Sequence, residues 1–316
     1  MNVLVTGGLG FIGTNLSMRL LQDGNKVFII DDLSSGVKEN LEVLKHFGEI
    51  IFIEDSIQNV DYDKVFEKIK IHQIYNLACD ASPSFYQSDP VYTIETCTVG
   101  ILKLLNYAKK HKSSFLQTST SEVYGDPLEH PQKESYHGNV SCIGIRSCYD
   151  EGKRIAESII MNYHRLYNLD TKIARIFNTY GKYMRIDDGR VISNFIVQSL
   201  SNQDITIYGD GFQTRSVCYI DDMVEYLVRL MESSYHFPVN VGNDEEYTIN
   251  EIANIIKKET NTESNVIYFD LPEDDPLQRK PDLTLAKSIL KYKPKYSVHS
   301  GIKKTIEYFK GNLIHG

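Results

Sequence analysis

Three glycines at a spacing of three, Gly7, Gly10 and Gly13, follow directly on the apolar run Val3-Leu4-Val5 and open into Phe11-Ile12 and a helical Ile12/Leu16/Leu20 pattern. A strand that turns this tightly into a helix leaves the N–H groups of the helix's first turn facing outward, ready for a diphosphate. The motif alone marks many ordinary turns, so its weight comes from context. The next apolar run, Val27–Ile30, ends in Asp31-Asp32, and Asp31 stands 18 residues beyond Gly13. That is close to where an acid meets an adenosine ribose 2′-hydroxyl. An acid there repels a 2′-phosphate, so the pattern favours NAD over NADP. Asp55, after the third apolar run, is a weaker candidate for the adenine amino group, an ordinary loop aspartate being the alternative.

The N-terminal half continues the same alternation. Apolar runs at Ile50–Ile53, Ile74–Ala78, Phe115–Leu116 and Ile173–Phe177 predict further strands. Between them, Leu41/Leu44, Val65/Ile69 and Ile94/Cys97/Ile101/Leu104/Leu105/Ala108 have helical spacing. Strands that are continuously apolar suit a parallel sheet covered on both faces. The expected class is α/β, a doubly wound Rossmann-type parallel sheet with a smaller C-terminal substrate-binding lobe. We expect residues 1–177 to form the NAD-binding domain, with later elements around 214–242 packing on it. Residues 178–213 and 243–312 are expected to form the lobe.

Composition narrows the remaining classes. With 34 Lys+Arg against 42 Asp+Glu the net charge is −8, which speaks against nucleic acid as a partner. The five cysteines show no C-x-x-C spacing, so neither a disulfide framework nor a metal site is expected. No run approaches the length of a membrane span. The first strand begins at Asn2, leaving no room for a leader, and the expected location is cytoplasmic.

The fifth apolar run ends in Thr118-Ser119-Thr120-Ser121-Glu122, and Tyr149-Asp150-Glu151-Gly152-Lys153 follows on a helix. Tyr149 and Lys153, four apart, share one helix face. A free tyrosine is a poor base at neutral pH. A neighbouring ammonium and a positively charged nicotinamide favour its phenolate, which can then take a proton from a sugar hydroxyl. Lys153 can also hold the nicotinamide ribose, and Thr120 can share the substrate oxygen with Tyr149. Tyr-x-x-x-Lys by itself is common on amphipathic helices, and its position downstream of the glycine turn and the Thr/Ser strand end is what singles it out.

With these segments the chain resembles the extended short-chain dehydrogenase/reductase family of nucleotide-sugar epimerases, dehydratases and decarboxylases. The resemblance runs from Val3 to about Phe309. Its most specific stretches are 119–127, 146–154, 174–181, Asp188-Gly189-Arg190-Val191, Gln213-Thr214-Arg215 and Arg279-Lys280-Pro281-Asp282. It implies tightly bound NAD regenerated in each cycle, cofactor contacts from Phe11, Ile12 and Leu77 as well, and a UDP-sugar substrate. It further implies Thr120, Ser121 and Glu122 around the sugar, and Asn178, Arg190, Tyr208, Gln213 and Arg215 on the UDP. Arg279 would stand near a sugar carboxylate or help protonate C5.

Within the family the pattern is most similar to the branch that decarboxylates UDP-glucuronate to UDP-xylose. In 4,6-dehydratases the strand-end Glu is preceded by Asp, because elimination needs an acid and a base; here that position is Ser121. Epimerases usually carry small uncharged residues where this chain has Glu122. Both activities stay as alternatives. A non-catalytic NAD-binding regulator is a remote third, which would be expected to lack Tyr149 or Lys153. The resemblance also implies a homodimer through a four-helix bundle of Ile94–Ala108 and the Tyr149 helix. Lys182-Tyr183, Asp80, Cys142 and Ile145 depart from the family pattern and bear on sugar and nucleotide preference.

The Asp31 reading makes a direct prediction. Titrated into nucleotide-stripped protein at neutral pH, NAD should bind more tightly than NADP, and equal affinities would remove the assigned role of Asp31.

Overall fold

The computed structural model describes residues 1–270 and 278–315. Residues 271–277, part of the acidic, proline-containing segment 271–281, lie outside the described residues. The apolar runs become β1 (Asn2–Thr6), β2 (Lys26–Asp31), β3 (Ile50–Glu54), β4 (Gln73–Asn76), β5 (Ser114–Thr120) and β6 (Thr171–Ile176). A seventh strand, Pro238–Val241, joins them, and the sheet order is Pro238–Val241, β6, β5, β4, β1, β2, β3. Every pairing is parallel, with Val3 opposite both Val27 and Gln73.

Continuous apolarity has its expected reason. Val3, Val5, Val27 and Ile29 pack on one face with Leu16, Leu20 and Leu227. Their neighbours Leu4, Phe28, Ile30 and Ile74 pack on the other face with Ile101, Leu104, Ala156 and Ile160. Each such side chain contributes about 1.5–3 kcal/mol on burial, so neither face tolerates polar alternation.

The glycine turn is sterically enforced. Gly7 has φ +66°, and a Cβ on Gly13 would lie 2.0 Å from the Gly7 carbonyl oxygen. The helix Phe11–Gln22 starts behind Gly10 with no side chain capping it, so its free N–H groups face the end of the sheet.

Two helical readings needed correction. The Val65/Ile69 pattern yields only one turn, Tyr62–Val65, started by Asp61 accepting from the Lys64 N–H and ended at Phe66, whose φ is −112°. The run from Ile94 to Ala108 is not one regular helix: Pro90–Glu95 and Ile101–His111 are joined by a π-type segment, Thr96–Gly100. Gly100 packs so tightly on Ile57 that a Cβ would lie 2.6 Å from its side chain. Two strand ends also move, since β4 stops at Asn76 and β6 at Ile176, leaving Leu77, Ala78 and Phe177 in the connections.

Beyond β6 the chain leaves the sheet and partly returns. Ile220–Glu232 packs on Phe11–Gln22, β5 and β6. Thr214–Ser216 pairs instead with Glu246–Thr248 and Gln278–Arg279 in a small sheet. Ile205–Tyr208 pairs with Val266–Phe269, and Val191–Leu200, Ile249–Thr260 and Val298–His315 pack together around these strands. One apolar core runs from Val3 through Ile220 to Ile252 and Ile302, so the lobe is fixed to the sheet by shared packing.

Candidate active site

A cleft of about 850 Å³ lies at the carboxyl ends of the strands, between sheet and lobe, and every site residue expected from the sequence lines it. Gly7, Gly10, Phe11, Ile12 and Gly13 form one end, with Asp31, Asp55 and Leu77 around them. A Cβ on Gly7 would lie 2.9 Å from the Leu77 and Ala78 backbone, so the turn after β1 and the turn after β4 touch. An uncapped helix start, a glycine cradle and an acid at the β2 end together fit a dinucleotide.

Asp31 is more constrained than the sequence suggested. Its two oxygens accept from the Leu9 and Leu33 N–H groups at 2.9 Å each. Each carboxylate oxygen keeps a further lone pair for a ribose hydroxyl. Burial, against those two hydrogen bonds, pushes it up to about 6. It is mostly ionised at neutral pH, and its repulsion of a 2′-phosphate fades as pH falls through about 6. Asp55 accepts from the Ser56 N–H at 2.8 Å.

Tyr149 and Lys153 sit on the first turns of the helix Ser147–Tyr167 and are both buried. The Tyr149 ring stacks on Tyr86, with centroids 4.8 Å apart and planes 9° from parallel. Lys153 Nζ donates to the Thr118 carbonyl at 3.1 Å and lies 5.6 Å from the Tyr149 ring centroid. Burial drives the Tyr149 phenol well above its ordinary value and Cys79 adds to this, while the Thr120 hydroxyl, hydrogen-bonded to the phenol, pulls it down. The expected dominance of the Lys153 ammonium over this group is therefore not found in the protein alone. Lys153 is committed to a carbonyl, and desolvation outweighs the nearby charges.

Thr120 ends β5 and accepts from the Glu122 N–H at 3.3 Å, starting the short turn Ser121–Tyr124. That turn aims Glu122 at two arginines. Arg146 Nη2 donates to Glu122 Oε2 at 2.9 Å, Arg279 Nη2 donates to the same oxygen at 2.9 Å, and Arg279 Nη1 donates to Oε1. Burial opposes the charge of Glu122, but Arg279 and Arg146 together hold its carboxyl below the ordinary value. Asp150, next to Tyr149, is pushed up to about 7 by burial and then by the charge of Glu122. Under the strand end, Ser119 Oγ donates to Glu157 at 2.6 Å, and Arg175 grips Glu157 with bonds of 2.9 and 2.7 Å.

At the lobe side, Arg215 and Arg279 are register partners on adjacent strands. Gln213 Nε2 donates to the Tyr208 carbonyl, and its buried Oε1 has no partner among the described residues. Asn178 lines the cleft beside the sheet, its carbonyl accepting from the Cys218 N–H at 2.8 Å. Arg190 forms a two-bond pair with Asp188 and lies 5.8 Å from the Phe11 ring centroid. That places it beside Phe11 of the glycine turn.

The cleft residues Arg146, Asp188 and Cys79 escaped assignment from the sequence, as did Tyr86, which is buried against Tyr149. Arg146 had a signal, a cation three residues before Tyr149, and Asp188 had its spacing to Arg190. Tyr86 and Cys79 had none, since only folding brings them to Tyr149. Of the departures, Asp80 lines the cleft with Ser34 Oγ donating to it at 3.3 Å, and burial raises it above its usual value. Tyr183 lines it too, with φ +67° and its ring 5.1 Å from that of Tyr308. Lys182 accepts from Asn15 through its carbonyl at 2.9 Å. Ile145 lines the cleft and Cys142 is exposed.

Comparison with known proteins gives a consistent picture. The GDP-mannose 4,6 dehydratase family profile matches residues 4–305. The chain is 47% identical over 310 residues to UDP-glucuronic acid decarboxylase 2 of Arabidopsis thaliana, covering 98% of this chain and 68% of that protein. It is 43% identical to UDP-glucuronic acid decarboxylase 1 of Danio rerio, covering 99% of this chain and 73% of that one. Among solved structures, the Thermotoga maritima UDP-glucose 4-epimerase with UDP-glucose superposes with a TM-score of 0.92 at 29% identity, covering 99% and 100% of the two chains. The Bacillus cereus UDP-glucuronic acid 4-epimerase with UDP-glucuronic acid and NAD gives 0.88 at 27%, with the same coverage.

Tyr149→Phe removes one oxygen from a stacked ring. The variant should bind NAD about as the parent does while turnover falls by roughly 10²–10⁴. Calorimetric titration and a steady-state assay check this, and near-normal turnover would remove Tyr149 as the base.

Proposed function

This chain belongs to the GDP-mannose 4,6-dehydratase-like family of extended short-chain dehydrogenases/reductases, and from that premise we propose that it decarboxylates UDP-glucuronate to UDP-xylose. The observation that carries this reading is the state of Glu122. A dehydratase needs an acid that can give a proton to a leaving hydroxyl. Glu122 is tied to Arg279 and Arg146 and held ionised, and its neighbour is Ser121 rather than a second acid. The same arginines bring two guanidiniums to the place where a C6 carboxylate would lie. The 43–47% identity to decarboxylases over nearly the whole chain supports the same choice.

Bound NAD supplies the hydride acceptor and donor for C4. The protein's own residues do the rest. Tyr149 takes the C4 hydroxyl proton, with Thr120 sharing the oxygen and Ser121 beside it. Lys153 holds the nicotinamide ribose. A ketone at C4 makes the C6 acid a β-keto acid, which loses carbon dioxide as an enolate. Tyr149 and Thr120 stabilise the enolate oxygen, and Arg279 orients the departing carboxylate and a water that protonates C5. Gln213, Tyr208, Asn178 and Arg215 bind the UDP. Arginine suits a diphosphate because its planar fork makes paired charge-assisted bonds. Arg190, over Phe11, is assigned to the cofactor side. Five free thiols fit a reducing cytoplasm, and among the described residues no helix is long and apolar enough to cross a membrane.

The exposed outer face of the helices beside the cleft supports a homodimer. Val91 and Ile94 are 64% and 45% exposed, and Ile155 on the Tyr149 helix is 44% exposed, with Val99 and Leu102 alongside. The two helical regions pack together, so a second copy could complete a four-helix bundle and cover these side chains.

Two measurements test these proposals. Incubated with UDP-glucuronate and NAD, the protein should release a product lighter by one carbon dioxide, while UDP-glucose stays unchanged. UDP-glucuronate returned as its C4 epimer would favour the epimerase reading, and deoxygenation of UDP-glucose the dehydratase. Sedimentation equilibrium should give a dimer that Ile94→Lys converts to monomer, and a monomeric parent at micromolar concentration would overturn the bundle.

A further inference from the structure

Cys79 and Cys97 come from different elements and meet beside the catalytic tyrosine. Cys79 lies in the turn after β4 and lines the cleft. Cys97 is 1% exposed in the π-type segment Thr96–Gly100. Their sulfurs are 3.5 Å apart and both are free. The pair is clamped between two parts of the site. Cys79 packs with Tyr86, Cys148 and Tyr149. Cys97 abuts the Tyr149 helix at Gly152, where a Cβ would lie 3.3 Å from its sulfur.

We propose that Cys79 and Cys97 form an oxidisable dithiol, a modification site for hydrogen peroxide, whose disulfide closes down the nicotinamide end of the cleft. The access is one-sided: the cleft reaches Cys79, and Cys97 stands behind it. In the first step the Cys79 sulfur attacks peroxide. The O–O bond breaks, a sulfenic acid forms, and the displaced oxygen leaves as water with the Cys79 proton. In the second step the Cys97 thiolate attacks the sulfenic sulfur, the S–S bond forms and hydroxide leaves. The two sulfurs together lose two electrons, and peroxide is reduced to water.

Access, not charge, makes Cys79 the first sulfur to react, and Cys97 is the one favoured as thiolate for the second step. The hydrogen bond between the two sulfurs, with burial and the charge of Cys97, holds the Cys79 thiol well above its ordinary value, while the same bond, against burial, holds Cys97 below its own, and the Lys153 ammonium favours charge on both. A disulfide of about 2.05 Å requires the sulfurs to close by roughly 1.5 Å. That closure pulls the turn bearing Leu77 and Ala78 toward the Tyr149 helix. A displacement of order 1 Å in a positioned site can cost about 10²-fold in rate.

The chemistry does not depend on which sugar is bound, so peptide mapping and NAD titration test it apart from the proposed reaction. Protein treated with hydrogen peroxide should yield a Cys79–Cys97-linked peptide, lighter by two hydrogens than the separate thiols. NAD affinity should fall, turnover should fall on the order of 10²-fold, and dithiothreitol should restore both. Cys97→Ser should lose the reversible part of the inhibition. If Cys79 and Cys97 remain alkylatable while exposed Cys142 is oxidised, the proposal fails. It also fails if the crosslink forms with NAD affinity unchanged, or if Cys97→Ser is inhibited as reversibly as the parent. Should that variant not fold, the map of the parent protein decides.

Discussion

The turn after β1 and the turn after β4 approach so closely that only glycine fits at Gly7, and this contact organises the whole molecule. From β1 the chain builds outward through β2 and β3, then returns to the other side of β1 and builds outward through β4, β5 and β6. Parallel strands with helical crossovers leave a crevice where the direction reverses. Everything that bears chemistry stands at that edge. Gly7 and Gly13 close one side, Asp31 ends β2, and Thr120 ends β5. The lobe then needs only to lean over the crevice, and the shared core from Val3 to Ile302 makes it do so.

Buried charge is concentrated in the same place and is matched with little slack. Glu157 takes Ser119 and Arg175, and Arg175 also donates to the Tyr124 hydroxyl at 2.9 Å. Removing one partner of such a pair typically costs about 3–5 kcal/mol, so this network fixes the β5 end rigidly under Thr120. Glu122 above it joins residues 122, 146 and 279 through one carboxylate. Tyr149 is the exception, since its surroundings hold the proton on the phenol. In the proposed role as base, Tyr149 would need positive charge beside it, which would couple proton abstraction to cofactor binding.

Much of the site was legible in the chain. Gly7-x-x-Gly10-x-x-Gly13, Asp31 and Tyr149-x-x-x-Lys153 are local patterns. Their physical requirements, a turn without Cβ atoms, a strand-end acid and one helix face, are met within a few residues of sequence. The Val65/Ile69 and Ile94–Ala108 patterns were less faithful. Periodicity reports which residues are buried, but not where a backbone bond is lost to a cap such as Asp61 or redirected in a π-type turn.

What the sequence by itself determined is therefore the parallel sheet, the glycine turn and which candidate side chains share one face, because each rests on spacing along one element. Which charges oppose one another was decided only in three dimensions. Arg279 is 157 positions from Glu122, Arg190 turns to Phe11, Asp31 is already engaged by two backbone N–H groups, and Cys79 meets Cys97. None of these follows from periodicity, because a side chain's partner and its desolvation are properties of the packed neighbourhood, and they alone set whether Glu122 stays ionised and Tyr149 keeps its proton.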